Sequence, residues 1–118
     1  MKKIIFSGSS LLITMILLFV LITYTGCKKG DDAPTPPANE VYILNSAFDP
    51  PTITVTVNTT VKWTNKVWVA HSVTSNTGLF DSGTFNVNGT FSYQFTTAGT
   101  YQYHCGTHPA MTGKIVVN

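Results

Sequence analysis

The stretch Tyr101-Gln-Tyr-His-Cys-Gly-Thr-His-Pro-Ala-Met111 contains three side chains able to bind a metal ion, namely Cys105, His108 and Met111. They follow the spacing Cys-x2-His-x2-Met, and gaps of two residues let side chains on a tight loop turn toward one point. A donor set of soft sulfur and imidazole selects a copper-type ion over magnesium or calcium. Two histidines, one cysteine thiolate and a weak axial methionine make up a blue-copper site. The loop therefore predicts such a site, with a second histidine supplied from elsewhere in the chain.

The remaining histidines, His71 and His104, are the candidates for the second imidazole. His104 directly precedes Cys105 on a predicted strand, where neighbouring side chains point to opposite faces, so the two residues cannot share one ion. A lone histidine on a strand is usually structural, and His71 is singled out because the loop leaves one ligand position open. We therefore predict His71 as the fourth ligand and His104 as an outward-facing or structural residue.

The chain from Glu40 onward is dominated by short segments in which apolar and polar residues alternate, the pattern of half-buried strands. Turn-forming residues separate these segments, and none of them combines helical periodicity with helix caps. Many short strands at regular spacing predict an all-β fold, a small β-sandwich over residues 40–118. The clearest predicted strands are Ile53–Val57, Val61–Thr64, His71–Ser75, Phe91–Phe95, Thr100–His104 and Lys114–Val117.

The loop and the strand after it resemble the C-terminal copper loop of small cupredoxins, the plastocyanin and amicyanin group. The resemblance extends upstream through three segments, Gly78–Gly83, Thr90–Phe95 and Ile53–Val57. It implies a Greek-key β-sandwich holding one type I copper ion, with His71 as first ligand and Met111 as the weak axial ligand. It also implies that the backbone N–H of Ser72 donates a hydrogen bond to the thiolate sulfur, which tunes the potential.

One residue of the loop departs from the pattern of this family. Members usually carry proline two residues after the cysteine, which removes a hydrogen-bond donor, whereas this chain has Thr107. We predict that the backbone N–H of Thr107 adds a second hydrogen bond to Cys105 and lowers the reduction potential.

The N-terminal part predicts export and membrane attachment. Residues 1–26 read as the signal peptide of a lipoprotein, with a basic start, a long apolar run and small residues before Cys27. Cys27 is the predicted lipid attachment site, and residues 27–39 form a proline-rich flexible tether. The alternative is an uncleaved transmembrane anchor, because the apolar run approaches spanning length. Either way, we expect the domain outside the cytoplasm of a bacterium, in the periplasm or at the cell surface.

Charge and cysteine content narrow the possible partners. After removal of residues 1–26, five lysines balance five carboxylates, and the chain has no arginine, so nothing supports nucleic-acid binding. With Cys27 lipidated, Cys105 is the only thiol left and cannot form a disulfide within the domain. A lone thiol outside the cytoplasm is prone to oxidation, which a bound metal would prevent.

These features predict a membrane-tethered carrier of single electrons that is not an enzyme and is a monomer. Redox proteins would dock at an apolar face around the exposed edge of His108. Trp68 is either part of this face or a residue of the core. The main alternative is a copper-binding or delivery module that uses the same ligands. A sandwich without metal and a zinc-bound form are further alternatives. A thiol enzyme is disfavoured, because Cys105 and His108 share one short loop with no acidic residue to orient the histidine.

Overall fold

Eight short strands form two four-stranded sheets in the computed structural model, which describes residues 34–118. The predicted signal peptide, Cys27 and most of the tether lie outside the described residues. In the described part of the chain, no helix has the length and apolar character needed to span a membrane. The strands are β1 (Glu40–Ile43), β2 (Phe48–Asp49), β3 (Thr52–Val55), β4 (Thr59–Asn65), β5 (Thr74–Ser75), β6 (Thr90–Phe95), β7 (Gly99–His104) and β8 (Thr112–Val117).

Both sheets are mixed. The first has the order β2-β1-β4-β6 and the second the order β3-β8-β7-β5. β1 runs parallel to β4 and β3 runs parallel to β8, whereas the other pairs are antiparallel. The prediction of an all-β sandwich is confirmed. The predicted strand His71–Ser75 is shorter than expected, because only Thr74–Ser75 pairs with β7 and His71 forms an isolated bridge with Phe85.

The core is built from the apolar residues of the alternating strands. Trp63 of β4 and Tyr103 of β7 are both fully buried, and their rings meet edge to face at a centroid distance of 5.5 Å. Such an aromatic pair contributes about 0.5–1.5 kcal/mol beyond its area burial. Phe95 is also buried, whereas Phe91 and Tyr101 are only partly buried and pack against the core from its edge.

The loop that contains Cys105, His108 and Met111 connects β7 to β8. Tyr103 pairs with Gly113 across the two strands, and the tyrosine ring lies over the glycine. A Cβ atom added at Gly113 would lie 2.2 Å from the Cζ atom of that ring, so any larger residue would have to displace the buried tyrosine. Because β7 ends at His104 and β8 begins at Thr112, residues 105–111 form a loop anchored on paired strands at both ends.

Candidate metal centre

Residues 105–111, called the ligand loop below, are closed by their own backbone hydrogen bonds. The His108 N–H donates to the Cys105 carbonyl at 3.2 Å, and the Met111 N–H donates to the His108 carbonyl at 2.9 Å. The Cys105 N–H donates in turn to the Met111 carbonyl at 3.0 Å. Each gap of two residues in the Cys-x2-His-x2-Met spacing is therefore one tight turn. The backbone of the loop keeps its shape through bonds that do not involve a metal ion.

His71 comes from a different part of the fold. Its backbone exchanges two hydrogen bonds with Phe85, at 3.2 and 2.9 Å, and its side chain is completely buried. The loop before it is braced by the buried side chain of Asn65, whose amide donates to the carbonyls of Val69 at 2.9 Å and Phe85 at 3.1 Å. The Asn65 amide oxygen also accepts the Val67 N–H at 3.0 Å. We did not predict this role from the sequence, although an amide at a core-facing strand position is a signal that could have revealed it.

Three ligand atoms meet at one point. The Nδ1 atoms of His71 and His108 lie 3.6 and 3.7 Å from the Sγ atom of Cys105, and all three atoms lie within 4.8 Å of one another. An ion with metal–nitrogen bonds of about 2.0–2.1 Å and a metal–sulfur bond of about 2.3 Å separates its sulfur and nitrogen ligands by roughly 3.6–3.8 Å. The observed spacing therefore fits three ligands of a single ion.

The environment of the sulfur favours the thiolate. Burial raises the pKa of Cys105, but hydrogen bonds from the Thr107 hydroxyl, the Ser72 backbone and the two histidines outweigh it and lower the pKa from 9.0 to about 5. The Ser72 N–H lies 3.4 Å from Sγ, as the resemblance implies. A thiol with this pKa is ionised at neutral pH, and the thiolate is the form that binds metals.

Thr107 reaches the sulfur in a different way from the one we predicted. Its hydroxyl oxygen lies 3.2 Å from Sγ of Cys105 and 3.1 Å from Nδ1 of His108. Among the bonds of the described residues, none joins the Thr107 N–H to this sulfur, so the backbone contact stays a prediction. A thiolate can only accept, which makes the hydroxyl the donor.

The other predicted residues are placed as follows. Met111 is buried at the end of the ligand loop, 4% exposed, and its role as axial ligand stays a prediction. His104 lies outside the cluster, where its Nδ1 is 2.6 Å from the side-chain oxygen of Asn76. The Nε2 atom of His71 is buried and has no hydrogen-bond partner within residues 34–118.

Apolar residues are exposed in the segment before His71 and in the ligand loop. Trp68 is 88% exposed, which excludes the core position that the sequence left open for it, and Val69 next to it is 48% exposed. Gly106, Pro109 and Ala110 of the ligand loop are exposed as well.

The fold and the site together define the class of this protein. It is a small β-sandwich in which one cysteine and two histidines lie close enough to bind one metal ion. The chain belongs to the cupredoxin-like family, because the model of the cupredoxin-like domain matches residues 14–117. Amicyanin from Paracoccus denitrificans is 35% identical over 82 residues, which cover 65% of this chain and 63% of that protein. The chain thus spans slightly less than two thirds of the length of this relative.

Solved structures of the family have the same fold. A reduced Cu(I) form of an amicyanin point mutant shares 34% identity with a TM-score of 0.65, covering 70% of this chain and 84% of the other. A purple cupredoxin from Nitrosopumilus maritimus shares 30% identity with a TM-score of 0.63, covering 67% of this chain and 98% of the other. The sulfur and imidazole donors of His71, Cys105 and His108 fit one copper ion, the metal of the Cu(I) structure.

Proposed function

We propose that this protein is a type I copper protein that carries single electrons between redox partners. His71, Cys105 and His108 would hold the copper, and Met111 would be the weak axial ligand. The observation that carries the proposal is the arrangement of the two Nδ1 atoms at 3.6 and 3.7 Å from Sγ, which matches the ligand spacing of one ion. When bound, copper supplies a one-electron couple to this site.

The rigidity of the protein around the site supports a carrier. A carrier has to keep its ligands in place in both oxidation states, because movement on each electron transfer slows the reaction. The ligand loop is closed by its own backbone bonds, and the loop before His71 is fixed by Asn65. Neither set of bonds uses a metal-binding atom, so both persist whatever the charge of the ion.

The surface around His108 supports docking of a partner through apolar contacts. The exposed residues Trp68, Pro109 and Ala110 carry no charge, and the mature chain has no net charge to steer a partner over a distance. Small contact areas of this kind suit short-lived encounters, as a carrier that must leave its partner requires. We propose that the protein works as a monomer and docks its redox partners here.

The proposed location follows from the N-terminal sequence. Lipidation of Cys27 would attach the protein to a bacterial membrane on its periplasmic or outer side. β1 and β4 are parallel, with Glu40 beside Lys62 and Ile43 beside Asn65, the residue that braces the loop before His71. The chain thus enters β1 at the end remote from the metal centre, which would leave the docking face free in a tethered protein.

The test is a visible and EPR spectrum of the full-length protein, purified in detergent and loaded with Cu(II). We expect an intense blue colour and a narrow copper hyperfine splitting, both bleached by ascorbate and restored on reoxidation. Cys105→Ser is the control and should abolish the colour. A pale species with ordinary hyperfine splitting, or irreversible oxidation of Cys105, would contradict an electron carrier and favour copper delivery or storage.

A further inference from the structure

We infer that β6 is a docking edge for an extended, uncharged segment of a partner protein, which adds to the first sheet as a further strand. β6 (Thr90–Phe95) is the last strand in the order of that sheet, so within residues 34–118 no strand pairs with its other side. An edge strand with free N–H and C=O groups is a template for pairing with another chain. The backbone of β6 can therefore bind a strand that this part of the chain does not supply.

Alternate residues of β6 direct their backbone groups toward the free edge. In an antiparallel pair, only every second residue bonds to the neighbouring strand. Gly89 directly precedes β6, and its carbonyl accepts the N–H of Asn65 in β4 at 3.0 Å, so the odd-numbered residues of this stretch face β4. The even-numbered residues present their N–H and C=O groups to the free edge, and their side chains are exposed: Thr90, Ser92 and Gln94.

The other sheet edges of the described part carry features that hinder pairing, which makes β6 the exception. β2 and β5 have two residues each, and Thr74 of β5 is bridged on its outer side by Asp81. β3 follows Pro50 and Pro51, which have no N–H to donate. Short strands, prolines and covering segments are the devices that keep edges from pairing. β6 has six residues and no proline, and no strand within residues 34–118 covers it.

Charge does not protect β6 either. Charged side chains on an edge strand discourage an incoming strand, but the chain has no Asp, Glu, Lys or Arg between Asp81 and Lys114. This uncharged stretch contains β6, β7 and the ligand loop. A charged segment would find no ion pair along β6 and would lose hydration of its own charges. The segment that fits this edge is therefore uncharged.

A cleft beside β6 adds a preference for apolar side chains. It has a volume of about 280 Å³ and is lined by Leu79, Tyr93, Phe95, Thr96, Thr97 and Tyr101. Leu79 is 46% exposed and Tyr93 is half-buried, so part of this apolar surface is accessible. A strand beside β6 directs every second side chain to the same face of the sheet as Tyr93, next to the cleft. The segment that fits therefore alternates apolar and polar residues.

Docking on β6 would bring a redox partner to the metal centre. Asn65, whose N–H bonds to Gly89, also braces the loop before His71, so β6 starts at the end of the first sheet that is nearest to that loop. A segment held along β6 would raise the effective concentration of its protein near the proposed docking face, as linked binding sites do. What the docking serves rests on the proposed electron-carrier function, whereas the addition of a strand does not.

The first test measures hydrogen exchange of the Thr90, Ser92 and Gln94 amides by NMR, on metal-free full-length protein in detergent. The probe is a capped peptide of alternating threonine and valine, and the control peptide has lysine in place of each valine. At saturation with the probe, we expect these amides to exchange about tenfold more slowly, the factor that one hydrogen bond gives, whereas the control peptide should leave the rates unchanged. Unchanged rates with the probe, equal slowing by the control peptide, or equal slowing along β3 would overturn the inference.

The second test blocks the edge. Ser92→Pro removes an N–H that faces the free side of β6, a position where an edge strand tolerates proline. It should weaken binding of the probe about tenfold, whereas Ser92→Ala, which keeps the N–H, should bind the probe as the natural protein does. Equal affinities of the two variants would contradict the inference. Should Ser92→Pro not fold, Leu79→Lys places a charge at the cleft and should weaken binding of the probe, whereas Leu79→Met should not.

Sedimentation of the natural protein and of Ser92→Pro distinguishes a partner protein from a second copy of this chain. We expect both to be monomers. A natural protein that dimerises while Ser92→Pro stays monomeric would show that β6 pairs with itself, which would overturn the assignment to a partner.

The tests also separate this inference from the proposed function. If the natural protein binds no copper, the proposed function fails, whereas the exchange rates along β6 still decide whether a strand adds there. If copper binds and the probe leaves those rates unchanged, the proposed function stands and the docking edge fails. The spectrum of Cu(II)-loaded Ser92→Pro should match that of the natural protein, because β6 supplies none of the proposed ligands.

Discussion

Removing the hydroxyl of Thr107 should lower the reduction potential of the copper-loaded protein. In the natural chain this hydroxyl lies 3.2 Å from Sγ of Cys105 and 3.1 Å from Nδ1 of His108. Once Nδ1 of His108 binds a metal it has no lone pair to accept, so the hydroxyl hydrogen turns to the sulfur. Thr107→Val removes this donor but keeps the size of the side chain and the backbone N–H.

The sign follows from the charge on the sulfur. A thiolate carries more negative charge beside Cu(I) than beside Cu(II), so the hydroxyl stabilises the reduced state more and raises the potential. A net hydrogen bond contributes about 0.5–1.5 kcal/mol, and for one electron 1.4 kcal/mol corresponds to about 59 mV. Thr107→Val should therefore lower the potential by roughly 20–60 mV. This sign is opposite to our sequence-based expectation, which had also placed the contact on the backbone amide.

Redox titration of the full-length protein, followed by its visible absorption, measures the effect. Thr107→Ser keeps the hydroxyl and is the control, with a potential close to that of the natural protein. A potential that is unchanged or higher in Thr107→Val would refute the reasoning. An equal fall in Thr107→Ser would refute it too, because the hydroxyl could not then be the cause.

Three further predictions concern stability and are measured by chemical denaturation of the metal-free protein. Asn65→Ala should cost about 2–4 kcal/mol, because three hydrogen bonds around the His71 segment are lost, whereas Asn86→Ala on the exposed surface should stay within about 0.5 kcal/mol. Similar losses in both would contradict the bracing role of Asn65. Gly113→Ala should cost about 1–3 kcal/mol, since its Cβ would lie 2.2 Å from the Tyr103 ring; an equal cost in a Tyr103→Leu background would show another cause. Burial raises the pKa of Tyr103 to about 12 from 10.0, so the folded state holds this proton more tightly and stability falls as the pH rises from 10.0 to about 12. Tyr103→Phe should remove that alkaline loss, and a profile that remained unchanged would refute the assignment.

The sequence by itself could predict what depends on near neighbours along the chain. The spacing of Cys105, His108 and Met111 reflects two successive tight turns of the backbone. Alternation of apolar and polar residues predicted most of the strands, because side chains of a strand point to opposite faces in turn. That same rule separated His104 from Cys105, and the structure does place His104 outside the cluster.

Only the tertiary structure decided what surrounds the sulfur. The Ser72 hydroxyl meets the Gly106 N–H across 34 positions of sequence, and no local pattern encodes such a contact. Thr107 contacts the sulfur through its hydroxyl because of the way the loop turns, which the residue type alone does not reveal. Trp68 looked equally suited to core and surface until the fold exposed it. Ligand identity and spacing are local properties of the chain, whereas the hydrogen bonds that tune the site depend on segments that meet only when the two sheets pack.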